Sequence, residues 1–315
     1  TDVFKCAERL SPYILRTPLV ESEVLSDAIG RKVYLKLETF QKTGAFKFRG
    51  AMNRLLLLGP KAGENGVVTA SSGNHGLGMS FGSRILGLKC TVVMPQRAPE
   101  VKQAKARKYG AEVILNGNSY DEAAEFAKNL ALETNRTYVP SFNDPAIIEG
   151  QGTILKEICE DLPDVGLVVA PIGGGGLMAG LLSARSLVKP ELQIVGAEPS
   201  GAASMKAALD AGKPVTLDEM NTIADGVAVK TAGDITFEVI SRWKPDIVIV
   251  TDDEIREAQW LLINGAKVMA ESAAAVPVAA LRRLPEKNLP NNIVCVITGG
   301  NIDADELAKL AGSHV

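Results

Sequence analysis

The chain has 315 residues, enough for one large or two medium domains around a sizeable core. With 46% hydrophobic and 23% charged residues it has an ordinary globular composition, and a net charge of −3 gives no reason to expect nucleic acid or an anionic membrane as partner. No apolar run approaches the ~20 residues that span a bilayer, and Thr1 to Leu10 lacks a signal-peptide layout, so the expected compartment is the cytoplasm.

Cys6, Cys90, Cys159 and Cys295 are far apart and form no C-x-x-C pair, which reads as buried thiols in a reducing environment. Only two histidines occur, His75 and the penultimate His314, so H-E-x-x-H zinc chemistry is excluded and a Ser-His-Asp triad would need His75. Chemistry here must rest on a lysine, hydroxyls, backbone amides or a borrowed cofactor.

In chain order, Val3 to Leu10 reads as a short amphipathic helix, and Pro12 and Pro18 keep the next segment extended. Val33 to Leu37 is a predicted strand. It leads into Gln41-Lys-Thr-Gly-Ala-Phe46-Lys47-Phe48-Arg-Gly50 and then a helical pattern from Ala51 to Leu58. A lysine flanked by aromatics at a strand-to-helix junction can be desolvated, which favours the neutral, nucleophilic amine. On this decapeptide alone, a lysine snorkelling from the solvated face of a helix is the plainer reading.

From Val67 the pattern alternates: strand Val67 to Thr69, helix His75 to Leu86, strand Cys90 to Met94, helix Glu100 to Tyr109, strand Glu112 to Leu115, helix Tyr120 to Thr134. Such alternation predicts a parallel sheet covered on both faces. Pro140-Ser-Phe-Asn-Asp-Pro145 breaks the rhythm and marks a domain crossing. A second α/β set follows. It has a helix from about Ala146 to Glu160, the strand Leu167 to Pro171, a glycine run with a helix to about Val188, and the strand Gln193 to Ala197. A helix around Ala203 to Ala211, Asp234 to Trp243, Ile247 to Thr251, Asp253 to Val268, Ser272 to Arg282, Ile293 to Ile297 and Asp303 to Ala311 complete it.

Three loops each admit a functional and a plain reading. Gly173 to Gly176, between a buried strand and the apolar helix that Leu177 opens, lets backbone amides converge on an anion at a helix N-terminus. It could also be a tight turn needing small residues. No Gly-Lys-Ser/Thr follows, so it is not a P-loop, and it departs from G-x-G-x-x-G with no strong acidic ribose anchor at the usual distance. Ser71-Ser72-Gly73-Asn74-His75 offers hydroxyls and free amides to a carboxylate, or is a helix cap. Thr298-Gly-Gly-Asn301 ends a strand where α/β folds bind ligands, or is a plain turn. A phosphate cup, a carboxylate clasp, a lone hydroxyl and a lysine together fit pyridoxal 5'-phosphate with an amino-acid substrate.

Thr43-Gly-Ala-Phe-Lys47-Phe-Arg-Gly50, Ser71 to Gly76, Gly150-Gln-Gly-Thr153, Gly173 to Gly176, Asp225-Gly226-Val227 and Thr298 to Asn301 occur in the order of one family. From about Ser11 to Asp303 the chain resembles the threonine/serine dehydratase (ammonia-lyase) and serine racemase family of fold type II pyridoxal-phosphate enzymes. Ala202 to Lys230, with Thr222 to Lys230 within it, looks more like the threonine ammonia-lyases than the racemases. The resemblance implies a two-domain α/β fold, with residues 1–65 and 143–315 forming the large cofactor-binding domain and 66–142 a small inserted one. It implies Lys47 as the Schiff-base lysine and Phe46 against the cofactor ring. Asn74 would bond the phenolic oxygen, Gly173, Gly174, Gly175, Gly176 and Leu177 would hold the phosphate, and Thr298 would face the pyridine nitrogen. Gly226 would lie near the substrate amine and Glu271 near the cofactor edge. Ser71, Ser72, Gly73, Asn74 and His75 would receive the substrate carboxylate, with Ser72 as the proton donor opposite Lys47.

Departures from the family pattern are Ala45 in place of serine, Thr298 in place of the commoner serine, and Pro140-Ser141 where His-Pro is common. Ser204 stands where metal-dependent members carry an acidic residue, so no metal is expected, although Glu198 matches. No regulatory domain follows Ala311, so feedback control is not expected. The expected activity is β-elimination from a 3-hydroxy amino acid such as L-threonine or L-serine by a homodimer or homotetramer. Rivals are serine racemase, a hydroxyaspartate or phenylserine ammonia-lyase, a nucleotide-binding oxidoreductase, and a catalytically silent binding protein.

Overall fold

The computed structural model describes residues 2–313, with the backbone alone at 60–63. Thr1, His314 and Val315, the outermost residues of the expected large domain, lie outside the described residues. Among the described residues ten strands occur in chain order: β1 (Leu19–Glu21), β2 (Lys32–Leu37), β3 (Val67–Ala70), β4 (Cys90–Met94), β5 (Glu112–Leu115), β6 (Thr137–Tyr138), β7 (Leu167–Pro171), β8 (Gln193–Pro199), β9 (Ile247–Val250) and β10 (Asn292–Ile297). They form two sheets, of order β1-β2-β10-β7-β8-β9 and β5-β4-β3-β6. Every pairing is parallel except β1 with β2.

The apolar runs explain this arrangement. Strands β3, β4, β7 and β10 are buried at every position, as strands covered on both faces must be. In the larger sheet one face packs on Leu25, Ile29, Val276 and Leu281, the other on Leu155, Ile158, Leu181 and Leu182. Helices sandwich the smaller sheet too, through Met79 and Ala106 on one face and Ala123, Ala127 and Ala131 on the other.

Register decides where the site falls. β10 pairs in parallel with β2 from Asn292↔Lys32 to Ile297↔Leu37, and with β7 from Ile293↔Leu167. The C-terminal ends of β2, β7 and β10 therefore share one edge, where parallel α/β sheets present their ligand loops. The Gln41–Lys47 segment, the glycine run and the Thr298–Asn301 loop all leave from that edge.

Several local expectations differ from the structure. β1, β6 and the helix Glu23–Ile29 were not expected; each is short or largely polar and leaves little periodic signal. The helix expected from Ala51 begins at Lys47 and runs to Asn65, broken at Gly59 (φ 69). The long helix expected from Asp253 to Val268 ends as Asp252–Trp260 followed by a π-helical turn, Leu261–Gly265.

A buried cluster of charges lies under the first turn of the Lys47 helix. Arg49 and Glu38 are fully buried, and Arg49 forks between Glu38 (2.8 Å to each oxygen) and Glu157 (2.7 and 2.9 Å). Lys36, also fully buried, adds a 2.7 Å bond to Glu157 and another to the Thr17 carbonyl. Two cations thus face two carboxylates, so burial leaves no net charge in the core.

Candidate active site

Lys47 is the first residue of its helix, because Ala45 before it is still extended and bridges Gly299. The amide of Phe46 donates to the Thr298 carbonyl at 2.9 Å, tying the lysine to the end of β10. Its Nζ donates to the Ser141 carbonyl at 3.0 Å and lies 5.3 Å from the Phe46 ring centroid. Burial drives the Lys47 pKa down to about 8, against an opposing pull from the Glu271 carboxylate. By accessible area the side chain is only half-buried, as expected for a group lining a cleft with protein on every side. Phe48 does not share this environment: it turns into a core of Cys6, Leu10 and Met52. Of the two flanking rings, only Phe46 lies beside the amine.

The glycine run packs tightly. An added Cβ at Gly174 would lie 2.4 Å from the Phe142 ring, and at Gly173 2.9 Å from Val227 Cα. Gly175 has φ +93, which only glycine adopts without strain. The carbonyl of Gly174 is held by Thr236 Oγ1 at 2.6 Å, while the amides of residues 173–177 donate to no protein group. Those donors open the helix Gly176–Val188, whose N-cap has no side-chain partner, so its positive end is left uncapped beside the Phe142 ring. Leu177 offers only its amide, since its side chain is in the core. Free amides at a helix N-terminus, with no room for Cβ atoms, suit a phosphate group.

The Ser71 loop has the same layout. Gly73 donates to Ser71 Oγ at 3.2 Å, which curls the loop, and the amides of Ser72, Asn74, His75 and Gly76 remain without acceptors. The Ser72 hydroxyl is likewise unbonded. His75 is 2% exposed with both ring nitrogens unpartnered. Burial, then the nearby Lys47 charge, push its pKa down to about 3, a shift that the Val139 carbonyl opposes without reaching hydrogen-bond geometry. It is a neutral ring at any physiological pH, so any carboxylate here meets backbone amides instead of an imidazolium.

Asn74 lies between these loops. Its Nδ2 donates to Glu271 Oε1 at 2.8 Å, and its Oδ1 accepts from Asn301 Nδ2 at 2.8 Å. Glu271 is pushed up to about 7, by burial first, with the Asn74 bond opposing. Glu271 also packs on Gly299 and Gly226, where added Cβ atoms would lie 2.6 Å and 3.5 Å from its Oε1. Thr298 is nearly fully buried, with its carbonyl on the Phe46 amide. Glu271, Asn74, Gly226 and the loop after β10 therefore meet at one place, joined to Lys47 through Ala45 and Phe46.

Sequence reasoning missed three contributors. Ser141 holds the Lys47 amine and Phe142 fills the glycine run, yet both were read as a domain crossing. Asn301 was quoted in a motif without a role. An aromatic beside a proline break was the available signal for Phe142; a backbone carbonyl such as that of Ser141 leaves none. At the position where metal-dependent members of the family hold an ion, both oxygens of Glu198 accept backbone amides, from Met205 at 2.9 Å and Lys206 at 2.8 Å. Among the described residues no group of three or more His, Cys, Asp and Glu could hold a metal.

The residues present fit a phosphorylated aldehyde: unpaired amides for the phosphate, a partly deprotonated lysine for the carbonyl, and an amide beside a carboxyl for the polar edge of its ring. Fold and cleft define a fold type II pyridoxal-phosphate enzyme. The chain belongs to the family of pyridoxal-phosphate dependent enzymes, whose model matches residues 10–299. It is 43% identical over 310 residues to an L-threonine ammonia-lyase of Thermotoga maritima, covering 98% of this chain and 77% of that one. Among solved structures it is similar to maize serine racemase (TM-score 0.93, 32% identity, covering 99% of this chain and 96% of that chain). It is also similar to threonine deaminase isoform 2 of Solanum lycopersicum (TM-score 0.92, 35% identity, 98% and 92%).

Proposed function

We propose that this chain is an ammonia-lyase that eliminates water from a 3-hydroxy amino acid such as L-threonine or L-serine, releasing a 2-oxo acid and ammonia. The observation that carries the reading is Lys47, an amine with its pKa lowered to about 8, set at the same sheet edge as a cup of free amides. The Thermotoga relative's name supports the substrate class. Pyridoxal phosphate, when bound, supplies an aldehyde that condenses with amines and a ring that withdraws electrons from the amine's Cα.

The chain's own groups supply the rest. Gly173 to Gly176 and the amide of Leu177 would hold the phosphate, Phe46 would back the ring, and the second N–H of Asn74 Nδ2 would serve the phenolic oxygen. Thr298 offers a neutral hydroxyl to the pyridine nitrogen, which favours an unprotonated ring and elimination over transamination. Gly226 leaves room at the substrate amine. The amides of Ser72, Asn74, His75 and Gly76, with Ser71 curling the loop at Gly73, receive the substrate carboxylate. Lys47 Nζ, in its neutral form, would take the Cα proton as general base and can rest on the Ser141 carbonyl. The departing β-hydroxyl would take up a proton beside the phosphate cup, for which the Lys47 ammonium formed by that abstraction is the donor at hand, and so leave as water.

We also propose that residues 66–142 form a smaller domain whose closure excludes water, since their strands make a sheet of their own. A cytoplasmic homodimer or homotetramer completes the reading; the four cysteines are free, and no helix among the described residues is long and apolar enough to cross a membrane. No step draws on a divalent cation. The test is a panel of 3-hydroxy amino acids assayed for 2-oxo acid, with L-threonine and L-serine expected to lead. Serine racemisation is the second reading, favoured by the unbonded Ser72 hydroxyl, and chiral analysis of the residual substrate separates the two.

A further inference from the structure

Asn301 takes no part in the reading above, yet its carboxamide is fixed at both hydrogens. Nδ2 donates to the Thr43 carbonyl and to Asn74 Oδ1, each at 2.8 Å. A backbone carbonyl can only accept, so the Asn301 atom facing Thr43 must be the nitrogen. Its second N–H then points at Asn74, which must answer with oxygen. That choice leaves Asn74 Nδ2 on the other side of its amide, 2.8 Å from Glu271 and with one N–H uncommitted. An isolated asparagine could present either end; here a backbone carbonyl two groups away dictates which.

The surrounding chain is shaped for this. Thr43 has φ 67, an unfavourable left-handed conformation for a β-branched residue. The next residue, Gly44, has φ +76, accepts from the Gly300 amide at 3.0 Å, and could not carry a Cβ without coming within 2.9 Å of Asn301 Oδ1. Strain in the turn before Lys47 thus coincides with close packing against the Asn301 loop.

We propose that Asn301, set by the Thr43 carbonyl, is a positioning residue that locks the Asn74 carboxamide with Nδ2 toward the phenolic oxygen of bound pyridoxal phosphate. The proposal rests on the reading of Asn74 as partner of that oxygen. A donor there stabilises the phenolate and competes for the proton it shares with the lysine-bound nitrogen. A flipped Asn74 would set oxygen against oxygen, repelling the cofactor and holding that proton more tightly.

The test compares wild type, Asn301→Asp and Asn301→Ala by two readouts: the pH midpoint of the visible absorption band, and the affinity of apo protein for pyridoxal phosphate. Asn301→Asp keeps the shape and loses the N–H groups; it is expected to raise the midpoint by about one unit and weaken binding about tenfold. Asn301→Ala should shift both in the same direction without adding a charge, and carries the comparison should the aspartate variant not fold. In an Asn74→Ala background the Asn301→Asp change should have no further effect, whereas a direct charge effect would persist. A wild-type midpoint and affinity in both variants, or additive shifts in the double variant, would overturn the relay. A wild-type protein that develops no visible band with the cofactor overturns instead the reading of the cofactor site beneath it.

Discussion

Lys47 shows how a residue's place in the backbone sets its chemistry. It opens a helix, its amine is enclosed by cleft walls, and a carbonyl with no charge to offer is its acceptor. With its pKa lowered from 10.5 to about 8, the amine loses its proton as pH rises through 8. Imine formation by apo protein with pyridoxal phosphate should therefore accelerate with pH to a plateau above about 8; stopped-flow absorbance that keeps climbing toward pH 10 would mean an ordinary solvated lysine. Ser72 poses the question of faces. Its hydroxyl is unbonded, and elimination from an L-amino acid needs only the lysine side. Ser72→Ala should abolish L-to-D interconversion and oxo-acid release from D-serine, while L-threonine turnover persists at a reduced level. Racemisation at the wild-type rate in the variant would remove Ser72 from that role.

At the scale of elements, the glycine run and the buried charge cluster support the site from two sides. Gly174→Ala drives a methyl group into the Phe142 ring, and the loop must shift to relieve it. Cofactor affinity should fall at least tenfold while the melting temperature of apo protein changes by only a few degrees; equal affinity by titration would argue that the amides do not hold the phosphate. Glu157→Gln leaves Arg49 with Glu38 and Lys36 with only the partly exposed Asp161 at 3.9 Å. A loss of about 3–5 kcal/mol in urea unfolding is expected, the cost of an uncompensated buried charge, and a loss below ~1 kcal/mol would mean that water reaches the cluster. Legibility differed between these elements. β3, β4, β7 and β10 could be read because buried parallel strands are nearly uninterrupted apolar runs. The glycine run and Lys47 were legible because each needs a residue type that few other structures demand. Arg49, Lys36 and Glu38 gave a signal that went unused: charged side chains in and beside an apolar strand must find partners. Glu157, the shared partner of Arg49 and Lys36, lies more than a hundred residues away, and no local pattern reaches that far.

Across the whole molecule, parallel register does the assembling. Loops that begin at residues 38, 172 and 298 reach one edge because β2, β10 and β7 run the same way, and the smaller sheet adds the Ser71 loop from the facing side. The motifs could be recognised one by one, but their meeting depended on strand order, which skips from β2 to β10 and then to β7. Ser141 and Asn301 became visible only there, since one acts through its backbone and the other through a second asparagine. The central claim is that Lys47 carries the cofactor and works on a 3-hydroxy amino acid. Borohydride reduction of the purified holoprotein, followed by peptide mass mapping, tests it most directly. A pyridoxyl-phosphate mass on the Lys47 peptide, with the label lost when L-threonine is added in excess before reduction, is the expected result. Label on another lysine, or none on a protein that still releases 2-oxo acid, would contradict it.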